Sequence, residues 1–248
     1  RFRIINRWWD ICKMIKASTV FQVCLVVISF LGILAFNACF SESEDFSSQP
    51  VKLQGQTLST PYEDLNFYEY VTASIGGKSL PYINNGGISD DAVGLKVPYI
   101  EGTLLDGSKE IIFDDSNFGL DSQSTVIIVL AHWCPYCRSE VRELSKYFIE
   151  NEIPETIRMI SLVTSVDPAG VNYPPHQWFD EEGWSIPVIV DTIESDIAHY
   201  LGVNIFPSFV IIDENGIVTL RLAGRIGPEG FKSLISELDK RHLGGDIK

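Results

Sequence analysis

Six consecutive residues, Thr125–Leu130 (TVIIVL), form an uncharged run dominated by β-branched side chains. The run leads directly into Ala131-His132-Trp133-Cys134-Pro135-Tyr136-Cys137. A continuous apolar stretch of this length fits a strand buried on both faces, because a half-exposed strand would alternate with polar residues. Immediately after it, Val141, Leu144, Phe148 and Ile149 recur at helical spacing within residues 138–151. A two-faced strand that feeds a helix demands a sheet covered on both sides. The rest of the C-terminal half supplies the covering elements. Asp106-Gly107 sits between apolar runs as the turn of a hairpin over 103–112, and Glu214-Asn215-Gly216 does the same between 209–213 and 217–223. Strands are expected at 157–163 and 186–190. Short helices are expected at 174–182 and at 194–201, the latter stopped by Gly202. An amphipathic helix over 228–243 places Phe231, Leu234, Ile235 and Leu238 on one face. The alternation predicts an α/β layered domain over 97–248.

The N-terminal part has a different character. Residues 17–40 (ASTVFQVCLVVISFLGILAFNACF) carry no charge, and about 20 apolar residues suffice for a helix to cross the hydrocarbon core. Arg1, Arg3, Arg7, Lys13 and Lys16 precede the run, whereas Glu42, Glu44 and Asp45 follow it. The positive-inside tendency then puts 1–16 in the cytoplasm and everything after 40 on the extracytoplasmic side. A cleaved signal peptide is the alternative reading. Cys39 ends the run where a lipoprotein acceptor could stand, although Phe36-Asn37-Ala38 fits that signal poorly. Cys12 falls in the cytoplasmic segment and Cys24 in the apolar run, where a thiol behaves as a small apolar group. Residues 41–96, acidic and rich in Ser, Gly and Asn but also in Tyr, read as an extracytoplasmic tether that contacts the domain or a partner. The formal net charge is −14, and the basic N-terminus makes the remainder still more acidic. That balance disfavours nucleic acid as a partner.

Cys134 and Cys137 are the pair on which chemistry can run. A C-x-x-C sequence at the start of a helix lets two sulfurs meet across one turn. Unpaired N–H groups at the helix N-terminus stabilise a thiolate there. Cys134, the outer residue, is the expected nucleophile, and Cys137 the residue that resolves a mixed disulfide. Pro135 has no N–H to lose at an early helical position. The competing readings are a structural disulfide or half of a metal site. Zinc would need a second pair or suitable histidines, and the chain has His132, His176, His199 and His242. A copper or zinc carrier therefore stays an alternative, while no resident metal or cofactor is expected.

The ordered set of motifs resembles the thioredoxin superfamily, and within it the TlpA/ResA-like branch of membrane-tethered reductases. The residues that carry the resemblance are Trp133-Cys134-Pro135-Tyr136-Cys137-Arg138-Ser139-Glu140, Asp106-Gly107, Trp184-Ser185-Ile186-Pro187 with Asp191, and Phe206-Pro207-Ser208 through Gly216. It covers roughly 94–243 and implies a thioredoxin-like fold, a central mixed sheet flanked by helices, behind an N-terminal transmembrane helix. It assigns Pro207 the cis-proline role facing the disulfide, and gives Phe206 the backbone that meets an extended substrate. Trp133, Pro135 and Tyr136 complete the implied substrate-contacting set. Glu140 is implied to tune the thiols; alternatively it stabilises the first turn of its own helix. Implied partners are protein thiols and disulfides, such as those of apocytochromes, or the other subunits of a membrane complex in which the fold is a scaffold.

This sequence departs from the family at three positions. Ile128 stands where thioredoxins carry a buried acid, Val141 replaces a proline after the glutamate, and His132 occupies a site that is commonly small. His132 is expected either as an imidazolium lowering the Cys134 pKa or as a solvent-facing loop residue. The Pro-Tyr dipeptide is the one glutaredoxins use. The 173–179 segment reads as a rigid connector, and Arg221 and Arg225 as a solvated edge.

Overall fold

The computed structural model describes residues 67–84, 89–113 and 123–242. The apolar run 17–40, the first part of the expected tether, and Cys12, Cys24 and Cys39 lie outside the described residues. Among the described residues no helix is long and apolar enough to cross a membrane.

The elements follow the order α1 (Phe67–Tyr70), β1 (Ser74–Gly76), β2 (Tyr99–Leu104), β3 (Lys109–Ile111), β4 (Ser124–Leu130), α2 (Pro135–Glu150), β5 (Ile157–Val163), α3 (Pro175–Glu181), β6 (Val188–Val190), α4 (Asp196–Tyr200), β7 (Ser208–Ile212), β8 (Val218–Ala223) and α5 (Gly227–His242). They build one mixed sheet ordered β1-β2-β6-β5-β4-β7-β8, with β3 paired to β2. β4 runs parallel to β5 and antiparallel to β7, so its backbone is paired along both edges. Its side chains alternate between two cores, as the pleat requires. Val126, Ile128 and Leu130 meet Val141 and Leu144 of α2, Trp178 and Phe179 of α3, and Phe231, Leu234 and Leu238 of α5. Ile127 and Val129 face Ile197 and Ala198 of α4 together with Leu80, Ala92 and Val97. This is a thioredoxin-type α/β fold.

The ordered domain begins well before Val97. β1 pairs with β2 through Ser74, Ile75 and Gly76. Leu80 and Ile83 donate backbone hydrogen bonds to Tyr200 and Gly202, while Gly94 and Val97 bond the far edge at Val218 and Gly216. The described part of the expected tether thus packs on the domain: Leu80 and Ala92 enter the second core, whereas Tyr68 and Val71 enter the first. The physical reason is composition. Scattered apolar residues such as Leu80, Ile83 and Ala92 find pockets in the sheet but follow neither helical nor strand periodicity.

A buried ion pair fastens this cover. Arg221 of β8, with no exposed surface, donates from Nε and Nη2 to Asp90 Oδ1 at 3.0 and 2.6 Å, and from Nη1 to Leu201 O at 2.9 Å. The expectation of a solvated edge for Arg221 is thus overturned. The cause is a register shift between Ile211 and Ile212, where Ile211 faces Leu220 but Ile212 faces Val218. Thr219 is bulged, so the alternation resets and Arg221 points inward beside Val218. Removing one partner of such a pair leaves an uncompensated charge, which costs about 3–5 kcal/mol. Asp90→Ala is expected to lower the unfolding free energy in urea by about that amount. The double variant Asp90→Ala/Arg221→Met should recover much of it. A wild-type midpoint for Asp90→Ala would contradict the buried pairing.

Candidate functional site

β4 ends at Leu130, and Cys134 N bonds Ala131 O at 3.0 Å to close a tight turn. Cys134 then occupies the N-cap of α2 in an extended conformation (φ −74°, ψ 122°), with Pro135 opening the helix. The sequence dictates this arrangement locally. Proline pre-sets the φ of a first helical residue and lacks the N–H that a helix start cannot pair. No side chain caps α2, so its first-turn amides and the positive end of a 16-residue helix act on the sulfurs.

The two cysteines are free thiols in unequal surroundings. Cys134 retains a little exposure, 7%, and Cys137 has none. The Cys134 thiol donates to Phe206 O at 3.5 Å, and Cys137 Sγ accepts from Ala131 N at 3.4 Å. Burial pushes the Cys137 thiol far above the ordinary cysteine range. The Ala131 N–H opposes this, while the Cys134 sulfur and Glu140 reinforce it. The Phe206–Pro207 peptide bond is cis. Beside it, the Trp133 ring meets the Phe206 ring edge-on at 6.3 Å, and Trp133 Nε1 donates to Ser165 O at 2.7 Å. Tyr136 is 66% exposed and Pro135 also faces solvent. Trp133, Cys134, Cys137, Phe206 and Pro207 thus converge from two separate connections of the fold, with Pro135 and Tyr136 on the rim.

Glu140 has structural partners beyond the thiols. It lies beyond the first turn of α2 and is fully buried. Its Oε1 accepts from Gly227 N at 3.0 Å and Ile226 N at 3.2 Å, and its Oε2 from Arg225 Nε at 3.3 Å. The carboxylate therefore sits at the N-terminus of α5, where the helix dipole favours an anion. It ties that helix to α2, and its effect on the Cys137 thiol is the smallest of the contributions. Arg225, expected on a solvated edge, reaches Glu143 Oε1 with Nη2 at 2.6 Å as well. Only the start of a helix two residues after Arg225 hinted at this; the pairing spans 85 positions.

His132 also overturns both readings offered for it. The ring is buried and out of solvent, and its two nitrogens are engaged in a pattern that the neutral ring satisfies. Nδ1 lies 2.8 Å from Val171 O, and Nε2 accepts from Asp167 N at 3.0 Å. Burial lowers its pKa, outweighing the Val171 carbonyl and Asp167, which raise it. Ile128 stays an apolar core residue, so no buried acid lies under the pair from that position. Among the described residues no group of three or more His, Cys, Asp or Glu side chains is placed to hold a metal ion.

A thiol that stays protonated is a poor nucleophile at neutral pH. Native alkylation with iodoacetamide at about pH 7 should therefore modify Cys134 and spare Cys137 until the chain is unfolded. Peptide mapping of the segment that carries both residues reads the outcome, and equal labelling would refute the asymmetry.

A family model described as Redoxin matches residues 93–229. Nucleoredoxin of Bos taurus is 27% identical over 149 residues, covering 56% of this chain and 32% of the relative. Nucleoredoxin of Danio rerio is 26% identical over 149 residues, covering 56% of this chain and 34% of that relative. The chain thus spans about a third of the length of the curated relatives it matches. Among solved structures, a DsbF homologue from Corynebacterium diphtheriae shares 15% identity, covers 65% of this chain and 100% of its own, and superposes with a TM-score of 0.50. StoA from Bacillus subtilis shares 14% identity over 57% of this chain and 97% of its own, with a TM-score of 0.45. With the model matching more than half of the chain, the protein belongs to the Redoxin family and carries an oxidoreductase domain of the thioredoxin fold.

Proposed function

We propose that this protein is a membrane-anchored thiol–disulfide oxidoreductase that exchanges disulfides with cysteines of extracytoplasmic polypeptides through Cys134 and Cys137. The observation that carries the exchange chemistry is the placement of Cys134 Sγ at Phe206 O, with Cys137 buried one turn below. The Phe206 carbonyl lines the same edge as the reactive sulfur. An extended substrate segment can hydrogen-bond backbone there while its own sulfur approaches Cys134. The anchoring and the side of the membrane rest on the apolar run 17–40 and the charges that flank it. Resemblance to the TlpA/ResA-like branch supports the same placement and brings apocytochrome cysteines forward as the substrate class. Assembly into a membrane complex is compatible with this chemistry.

In the reducing direction, the Cys134 thiolate attacks one sulfur of a substrate disulfide in line with the S–S bond. A Cys134–substrate bond forms, and the other substrate sulfur leaves as a thiolate that takes up a proton. Cys137 then loses its proton, attacks Cys134 Sγ and expels the second substrate thiolate. The products are a reduced substrate and a Cys134–Cys137 disulfide. The oxidising direction is the same path reversed. The high pKa of Cys137 makes its deprotonation the step that must be helped. The proton that Cys137 gives up has to pass to solvent or to the departing substrate thiolate, since the Glu140 carboxylate is already held by Arg225, Ile226 and Gly227.

Cysteine substitution separates these roles. Cys137→Ser should accumulate a mixed disulfide with polypeptide substrates that dithiothreitol releases on a non-reducing gel. Cys134→Ser should trap none and should lose dithiothreitol-driven insulin reduction. Full insulin reduction by Cys134→Ser would sink the proposal. Wild-type function of the Cys134→Ser/Cys137→Ser variant in cells would assign the fold a scaffold role instead.

A further inference from the structure

The connection between β5 and α3 closes one side of the cysteine site. Ser165 and Asn172 bracket it with left-handed backbone conformations (φ 51° and 61°), which non-glycine residues seldom adopt. Between them Asp167 Oδ1 accepts from Ala169 N at 2.9 Å, and Gly170 N donates to Asp167 O at 2.9 Å. These bonds shape the turn but do not attach it to the sheet. Attachment comes from the residues just before Cys134. Trp133 Nε1 donates to Ser165 O at 2.7 Å, and Asn172 Nδ2 donates to His132 O at 2.8 Å. The His132 ring spans the loop from Asp167 N to Val171 O. The approach is close: a Cβ on Gly170 would stand 3.1 Å from His132 Cε1 and 3.2 Å from Trp133 Cβ.

The two partners of His132 fix its protonation state. Val171 O can only accept, so Nδ1 carries hydrogen. Asp167 N can only donate, so Nε2 carries a lone pair. Adding a proton at Nε2 would set one N–H against another at 3.0 Å. The loop can therefore be held by the neutral ring alone.

We propose that His132 is a positioning residue whose neutral ring latches the 165–172 loop against Trp133, holding one wall of the surface where a polypeptide substrate lies beside Cys134, and that protonation of the ring releases this wall. The proposal rests on the exchange reading given above for Cys134. Val171, 56% exposed, is the apolar side chain the latched loop presents. The groups facing the ring are few. Asp167 favours the cation from the loop itself. The Tyr173 ring lies 6.1 Å away, with Tyr68 of α1 packed behind it and stacked in turn on His176 of α3. Glu69 acts on the Tyr173 side, and the Cys134 thiol stands two residues along the chain. Burial outweighs the favourable Asp167, so the folded pKa lies below the ordinary histidine value of about 6.5. A group whose folded pKa is depressed contributes its full stability above the unfolded pKa. The latch is thus intact at neutral pH, weakens below about pH 6.5 and is lost as pH falls through the lower folded value.

The test compares the wild-type chain with His132→Gln, whose amide oxygen can accept from Asp167 N without titrating, and with His132→Ala. Hydrogen exchange at the Asp167 amide reads the latch directly, whatever the activity. In the wild type its protection factor should fall by about tenfold or more between about pH 8 and the pH at which the His132 ring is seen to protonate in its own NMR titration. It should stay level in His132→Gln and be low throughout in His132→Ala. Constant protection in the wild type, or wild-type protection in His132→Ala, overturns the latch. The second readout is steady-state disulfide reduction of a polypeptide substrate and of bis(2-hydroxyethyl) disulfide, which is too small to span the loop. His132→Ala should raise KM for the polypeptide by about tenfold, the scale of a displaced positioning group. Kinetics on the small disulfide should be unchanged, and His132→Gln should restore the polypeptide KM without an acid limb. Equal losses on both substrates would assign His132 to general folding and overturn the proposal. Absence of exchange activity in all three proteins, with the Asp167 pattern as expected, would overturn the function and not the latch.

Discussion

Everything at the reactive end of this molecule depends on β4 being paired along both edges and buried on both faces. A strand in that situation has no freedom to shift. A slip of one residue would turn Val126, Ile128 and Leu130 out of one core and Ile127 and Val129 out of the other. Its end at Leu130 is therefore fixed in space. The Cys134 N to Ala131 O turn then carries the chain into α2 within a few residues. The position of Cys134 is inherited from a strand that cannot move. The antiparallel pairing of β7 with β4 places Ser208 opposite Val129, which brings Phe206 and Pro207 to the same edge. The site is a consequence of register.

Register alone does not hold the surrounding helices and loops. Three buried polar groups do, each satisfied by fixed partners, as burial in low dielectric requires. Glu140 binds the start of α5 to α2. Arg221 binds the 89–97 cover to β8 and to the end of α4. His132 binds the 165–172 loop to the cysteine turn. Asp191 repeats the device on the opposite face, where its carboxylate accepts from Ile197 and Ala198 at the start of α4. Burial raises its pKa against those bonds, which lower it.

The apolar skeleton was legible in the sequence because its signals are local. Residues 125–130, the Asp106-Gly107 and Asn215-Gly216 turns, and the Phe231, Leu234, Ile235 and Leu238 stripe each declare their element within a short window, and each element lies there. The Cys134-Pro135-Tyr136-Cys137 motif likewise carries its own helix start. The polar ties were not legible, because their partners are remote. Asp90 and Arg221 stand 131 positions apart, and Tyr68 meets His176 across 108. Arg221 was further disguised by the bulge at Thr219, which reverses the strand alternation that marks a residue as outward. His132 differs again: its position two before Cys134 was noticed, but the loop that receives it has no periodic signature at all.

Unequal burial sets the chemistry of the two sulfurs apart. Cys137 lies under the turn, with Ala131 N as its one backbone donor, and burial keeps it a thiol. Cys134 sits at the helix N-terminus with an acceptor, Phe206 O, in front of it. A carboxylate free to swing under Cys137 would blur that difference by offering a base at short range. Arg225 and the Ile226 and Gly227 amides hold Glu140 away from that use in the dithiol state. In the exchange proposed for this pair, Cys137 therefore gives up its proton without a carboxylate base held beside it. The same turn that sets Cys134 at the helix start leaves the second thiol buried beneath it, and that difference in burial is what separates the two sulfurs.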